Sequence, residues 1–194
     1  MLIPSKLRTH KLSANANLST SGFNLVGAES PAIEVMTDFG RVNAVTVTPE
    51  ASLASANSMM ISRGVRLLLV TGRGERLEGL ITARDVLGEK PIQIALARGS
   101  KRDDLTVRDL MCPLANIDTL HLSEVMNARV IDVLDALKAL GRQHIMVEDV
   151  DPATELPRVR GIFSATQIGR LLGVPVLGFD LPQNFAEIEA ALAN

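Results

Sequence analysis

The 194-residue sequence predicts an α/β (α+β) protein made of two diverged β-α-β-β-α repeats in tandem. Three observations predict it. An alternating apolar run is followed by a helical run at two places in the chain. Each helical run stops at a glycine, Gly64 in the first copy and Gly141 in the second. A nearly repeated phrase closes each copy: Gly79-Leu80-Ile81-Thr82-Ala83-Arg84-Asp85, then Gly161-Ile162-Phe163-Ser164-Ala165-Thr166-Gln167.

The elements follow in order. Residues 1–30 are rich in Ser, Asn and Thr without a steady period, so they read as an N-terminal arm. The first repeat spans 31–90 and the second 107–173, with 91–106 as linker and 174–194 as a tail holding a short amphipathic helix (Phe185, Ile188, Leu192). The units start alike, at Ile33-Glu34-Val35-Met36 and Arg108-Asp109-Leu110-Met111. Ala44–Val47 and Ile117–Leu122 alternate as half-buried strands do. Leu53, Ala56 and Met60, then Val130, Val133 and Leu137, recur at the three- and four-residue steps of one buried helical face. The glycine stops fit the left-handed conformation that ends many helices. Second strands follow at Arg66–Val70 and His144–Val147. Thr71-Gly72-Arg73-Gly74-Glu75 then reads as a tight hairpin, and a longer turn runs from Asp151 to Pro157. One such unit buries too little surface to be stable alone, so the two are expected to share a core.

Composition narrows the function classes. Net charge is −2, and the densest basic spot, Lys101-Arg102, is followed at once by Asp103-Asp104. Aromatics are 3%. Neither a phosphate-tracking stripe nor stacking platforms are present, so nucleic-acid binding is not expected. No stretch has the length of a membrane span or a signal peptide, and with one cysteine no internal disulfide forms. The expectation is a cytoplasmic protein without a membrane partner.

Candidate chemistry centres on the closing phrases. Thr82 and Ser164 stand where a strand becomes a helix, and each can cap that helix, with Asp85 or Gln167 bonding back from three residues on. The Ser164–Gln167 pair fits a capping box better, since Gln is a standard partner. A functional reading uses the same geometry: helix-start amides attract phosphate, and a carboxylate one turn in accepts from two neighbouring hydroxyls, as on a ribose. Asp85 can do this as an anion; Gln167 offers one oxygen and no charge. The copies are therefore expected to be unequal.

The repeat resembles the cystathionine-β-synthase (CBS) domain pair, or Bateman module, of the stand-alone bacterial type. Met36 and Met111, Gly64 and Gly141, and the phrases GLITARD and GIFSATQ carry the resemblance over residues 31–173. It implies two repeats about a pseudo-two-fold axis, two clefts, and an adenosine-containing ligand: AMP, ADP, ATP or S-adenosylmethionine. It also implies a homodimer and a separate regulated protein, with no covalent cofactor and no enzymatic activity. Carried over, Thr82 and Asp85 contact phosphate and ribose, and Ser164 matches Thr82. Gln167 departs from the pattern. Arg84 lies inside the phrase, and Val45 is expected to wall the base pocket. The alternative is an interaction module without a small ligand.

Other constellations are weaker. His10, His121 and His144 are scattered, so no metal site is expected. His144 packs or faces the cleft, where with Arg142 it can meet a phosphate. Cys112 reads as a small apolar residue at a helix end. Asp103, Asp104 and Asp109 beside Lys101, Arg102 and Arg108 read as a solvated charge cluster. Gly72-Arg73-Gly74 lacks the third glycine of a dinucleotide loop, and no P-loop or nucleophile-elbow motif occurs.

Overall fold

The computed structural model describes residues 11–16 and 26–173. The helix expected within 174–194 lies outside the described residues. After a 3-10 turn at Ala32–Val35, the elements are β1 (Thr37–Asp38), β2 (Thr46–Val47), α1 (Leu53–Arg63), β3 (Leu67–Thr71), β4 (Leu77–Thr82), α2 (Ala83–Leu87) and α3 (Lys90–Arg98). The second half continues with α4 (Val107–Leu110), β5 (Cys112–Pro113), β6 (Thr119–His121), α5 (Leu122–Val125), α6 (Val130–Ala139), β7 (His144–Val150), β8 (Pro157–Ser164) and α7 (Ala165–Leu172).

Local chemistry sets the boundaries. The Ser52 hydroxyl accepts from the Ser55 amide and opens α1, and Gly64 closes it at φ 64°. Gly141 follows α6 at φ 59°, and Gly74 turns the β3–β4 hairpin at φ 68°. These are left-handed conformations that a side chain would strain.

The strands form two four-stranded sheets, β2-β3-β4-β5 and β1-β8-β7-β6. β2 runs parallel to β3, and β6 to β7; the other pairings are antiparallel. The halves exchange their first strands. β1 leaves its own copy and pairs with β8, while β5 crosses back to pair with β4. Each closing-phrase glycine lies under the visiting strand. A Cβ on Gly79 would lie 2.3 Å from the Cys112 carbonyl oxygen, and one on Gly161 would lie 2.7 Å from that of Thr37.

Two apolar cores follow this exchange. The first gathers Leu53, Met60, Leu68, Val70, Ile81 and Val86, with Ala95 of α3 and Leu105, Val107 and Leu110 from the second half's entrance. The second gathers Val133, Leu137, Ile145, Phe163 and Ile168, together with Ala28, Ala32, Val35 and Met36 from the first half. The end of the arm is therefore docked: Ala28 is buried, and its carbonyl accepts from the Ile131 amide at 3.0 Å. The segment between the repeats carries α3 and packs on the first core.

The Lys101–Asp109 cluster is largely exposed, as expected, and also holds backbone groups in place. Asp104 accepts from the Lys101 amide at 2.9 Å and Asp109 from the Thr106 amide at 2.8 Å. Arg102 donates to the Val86 carbonyl at 3.1 Å, and Arg108 holds Glu50 and Glu78 at 2.7 and 3.2 Å. Short polar side chains beside backbone turns can satisfy free amides, which anchors the connection to the first copy.

Candidate functional site

The closing phrases sit where β4 and β8 run into α2 and α7. In register, Thr82 lies opposite Leu67 and Ser164 opposite His144. The positions are equivalent, so His144 occupies in one half the place that Leu67 holds in the other.

The capping reading is realised unequally, and in the reverse sense to that expected. At Thr82 the box closes both ways: Asp85 Oδ2 accepts from the Thr82 amide at 3.0 Å and the Thr82 hydroxyl at 2.6 Å, and Thr82 Oγ1 accepts from the Asp85 amide at 3.3 Å. Ser164 accepts only from the Gln167 amide, at 3.5 Å. The anionic Asp oxygen takes two donors at once, and charge-assisted bonds are the shorter and stronger kind. The second oxygen, Asp85 Oδ1, faces Lys90 Nζ at 3.5 Å, and Lys90 also donates to the Leu110 carbonyl at 2.7 Å.

Two clefts flank these caps. The first, of about 710 Å³, is lined by Thr82, Arg84, Asp85 and Lys90 from the first half, and by Met111–Pro113, Ala115–Asp118 and Gly141–His144 from the second. The second, of about 480 Å³, is lined by Ser164, Thr166, Gln167 and Arg170 against Asn43–Val45 and Arg63–Leu67. Thr82, Arg84, Gln143 and His144 border both clefts.

The seven candidate residues thus divide between the clefts. Asp85 lines the first alone, Val45, Ser164 and Gln167 line the second alone, and Thr82, Arg84 and His144 stand between them. Val45, expected to wall the base pocket, lines the second cleft. Val45 stays in the first sheet, where its carbonyl accepts from the Leu69 amide at 3.0 Å, and there it borders the second cleft. The equivalent wall beside Asp85 is made by Ile117 and Asp118.

Charge also divides unequally. The first cleft holds Arg84, Lys90 and Arg142 with the carboxylates of Asp85 and Asp118, and Arg142 lies 3.9 Å from Asp118. The second holds Arg63, Arg66, Arg84 and Arg170, and no carboxylate lines it. Between the clefts, burial pushes the His144 imidazole down to about 4, and the nearby positive charge of Arg66 acts in the same direction. At neutral pH this ring is uncharged.

Sequence reasoning missed Lys90, Arg63, Arg66 and Arg170. Arg63 and Arg66 flank Gly64, whose helix-stop role explained the segment without them. Cys112 proves to be a strand residue in β5, half-buried at the first cleft, with Sγ 3.5 Å from the Asn116 carbonyl oxygen. Among the described residues no group of three or more His, Cys, Asp or Glu is placed to hold a metal ion, and no helix is long and apolar enough to cross a membrane.

Among known families, residues 32–91 match the CBS domain. The chain as a whole has the fold of a CBS-domain pair. An uncharacterised conserved protein from Pyrococcus horikoshii superposes with a TM-score of 0.55 at 20% identity, over 79% of this chain and 99% of that one. The CBS-pair protein CBSX2 of Arabidopsis thaliana, solved in complex with AMP, gives 0.50 at 20% identity over 73% and 94%. The CBS domain pair of protein MJ0100, in complex with 5′-methylthioadenosine and S-adenosyl-L-methionine, gives 0.50 at 22% over 74% and 96%. No curated protein matches the chain by sequence.

Proposed function

We propose that this chain is a regulatory module that binds an adenosine-containing ligand (AMP, ADP, ATP or S-adenosylmethionine) in the first cleft. The observation that carries the reading is the Thr82–Asp85 pair at the wall of that cleft. One Asp85 oxygen secures the helix cap, and the other is directed at Lys90. Vicinal ribose hydroxyls would donate to that second oxygen. Arg84, Lys90 and Arg142 supply donors for phosphate or carboxylate groups, and Met111 and Ile117 offer apolar wall for the base. Complexes of CBSX2 with AMP and of MJ0100 with adenosyl compounds support this ligand class. The module performs no chemistry of its own, and ligand occupancy is read by a separate regulated protein.

Thermal denaturation with AMP, ADP, ATP and S-adenosylmethionine tests the reading. A ligand at 100 times its dissociation constant stabilises the fold by about 2.7 kcal/mol, or roughly 5–10 °C for a chain of this size. Asp85→Asn removes one ribose acceptor and should abolish that increment. If none of the four compounds shifts melting at millimolar concentration, the reading fails.

A second reading, an interaction module that pairs with a second copy, is favoured by Ile61 on α1 and Ile92 and Leu96 on α3. These side chains are exposed on helices that both pack against α2. Sedimentation equilibrium of the protein and of its Ile61→Asp/Leu96→Asp variant separates the cases: a dimer that the variant abolishes supports it, and a monomeric parent rejects it.

A further inference from the structure

We propose that the exposed apolar face of α1, α2 and α3 is covered by this chain's own tail, residues 174–194. Ile61, Leu87, Ile92 and Leu96 are each more than half exposed, at 73%, 63%, 56% and 77%. α1 packs on α2, and α2 on α3, so the four side chains stand on adjacent helices of the first half. Apolar surface gathered in this way is costly to leave in water and marks a docking face. The face belongs to one half of the molecule. At the positions equivalent to Ile61 and Leu87 the second half has Lys138 and Gly169.

Three observations select the tail as the occupant. The first is pattern. Leu181, Phe185, Ile188 and Leu192 recur at steps of three and four residues, and Asp180 stands three residues before Gln183, as at the start of a helix. The spacing predicts a short helix with one apolar stripe. The second is charge. α1 and α3 carry Arg63, Lys90 and Arg98 and no carboxylate, whereas residues 174–194 carry Asp180, Glu187 and Glu189 and no Lys or Arg. The same charges argue against a second copy as the cover. A two-fold pairing sets a patch against itself, and would place bases opposite bases. The third is reach. Arg170 of α7 lines the second cleft together with Arg63 at the end of α1. The tail leaves α7 just beyond, at Gly173, and residues 174–180 can span up to about 25 Å.

The test uses the full chain carrying Phe185→Ser, Ile188→Ser and Leu192→Ser together, read by anilinonaphthalenesulfonate fluorescence and by hydrogen–deuterium exchange. Uncovering the face should raise dye fluorescence by about threefold or more and speed amide exchange in α3 by a similar factor, with exchange in β7 and β8 unchanged. Glu187→Lys/Glu189→Lys keeps the apolar stripe and reverses its charge. It should have the same effect at low salt and a smaller one at high salt. The thermal transition of each variant is checked first; if the triple variant loses it, the charge-reversed variant decides. Cover by the chain's own tail is intramolecular, so dye fluorescence per molecule of the parent should not depend on protein concentration. The proposal is overturned if the folded variants match the parent in dye binding and exchange. It is also overturned if the parent's cover is lost on dilution, which would assign the face to a second copy.

Discussion

Asp85 divides its carboxylate between the Thr82 cap and Lys90. Its Oδ2 closes the Thr82 box, whereas the equivalent cap at Ser164 is a single bond at 3.5 Å. Removing an N-cap side chain costs about 1 kcal/mol. Thr82→Ala should therefore lower melting by roughly 2–4 °C, and Ser164→Ala by clearly less; equal losses in thermal denaturation would contradict the asymmetry. His144 gives a second residue-level signature. Its folded pKa is lowered to about 4 from 6.5, so the unfolded chain takes up a proton in that interval and the native one does not. Stability is present above pH 6.5 and falls as pH drops towards 4, by at most about 1.4 kcal/mol per pH unit. Urea denaturation at pH 7, 6 and 5 should show this slope. His144→Leu, which copies the equivalent Leu67, should flatten it; an unchanged slope in that variant would assign the effect to other groups.

At the scale of elements, the strand exchange explains the glycine that opens each closing phrase. Gly79 lies under β5 and Gly161 under β1, where an added Cβ would meet backbone carbonyl oxygens at 2.3 and 2.7 Å. Backbone on a paired strand cannot retreat without breaking its ladder. Gly79→Ala and Gly161→Ala should each destabilise by about 1–3 kcal/mol, read by chemical denaturation, although neither site has a positive φ. Gly88→Ala, exposed at the end of α2, approaches only the Arg84 carbonyl at 2.6 Å and tests whether a helix-end clash is equally costly. The long elements were legible in the sequence because α1, α6, β3 and β7 have enough residues to display a period. The short strands were not: β1 and β5 are two residues each, and two residues cannot show alternation. Cleft membership depends on those two strands. That is why Thr82 and Asp85 were found together from their spacing, while the cleft that Val45 lines emerges only from the fold. The arginine group was illegible for a related reason, since α7 and the end of α1 meet only through tertiary packing.

For the whole molecule, exchange means that neither sequence repeat owns a complete core. Residues up to Arg98 supply most of the first core but not Leu105, Val107 or Leu110, and they lack the β5 edge of their sheet. The same stretch carries Ala28, Ala32, Val35 and Met36, whose burial depends on α6, α7 and β8. A fragment of residues 26–98 would therefore expose one set of apolar side chains while missing part of another, and a unit of that size has little stability to spare. It should show no cooperative thermal transition by far-ultraviolet circular dichroism. Mixed with a fragment of residues 99–173, it should recover one, because the missing strand, the missing core residues and the partner core all arrive together. Cooperative unfolding of the 26–98 fragment alone would show that the exchanged segments are dispensable, and would return the molecule to two independent repeats.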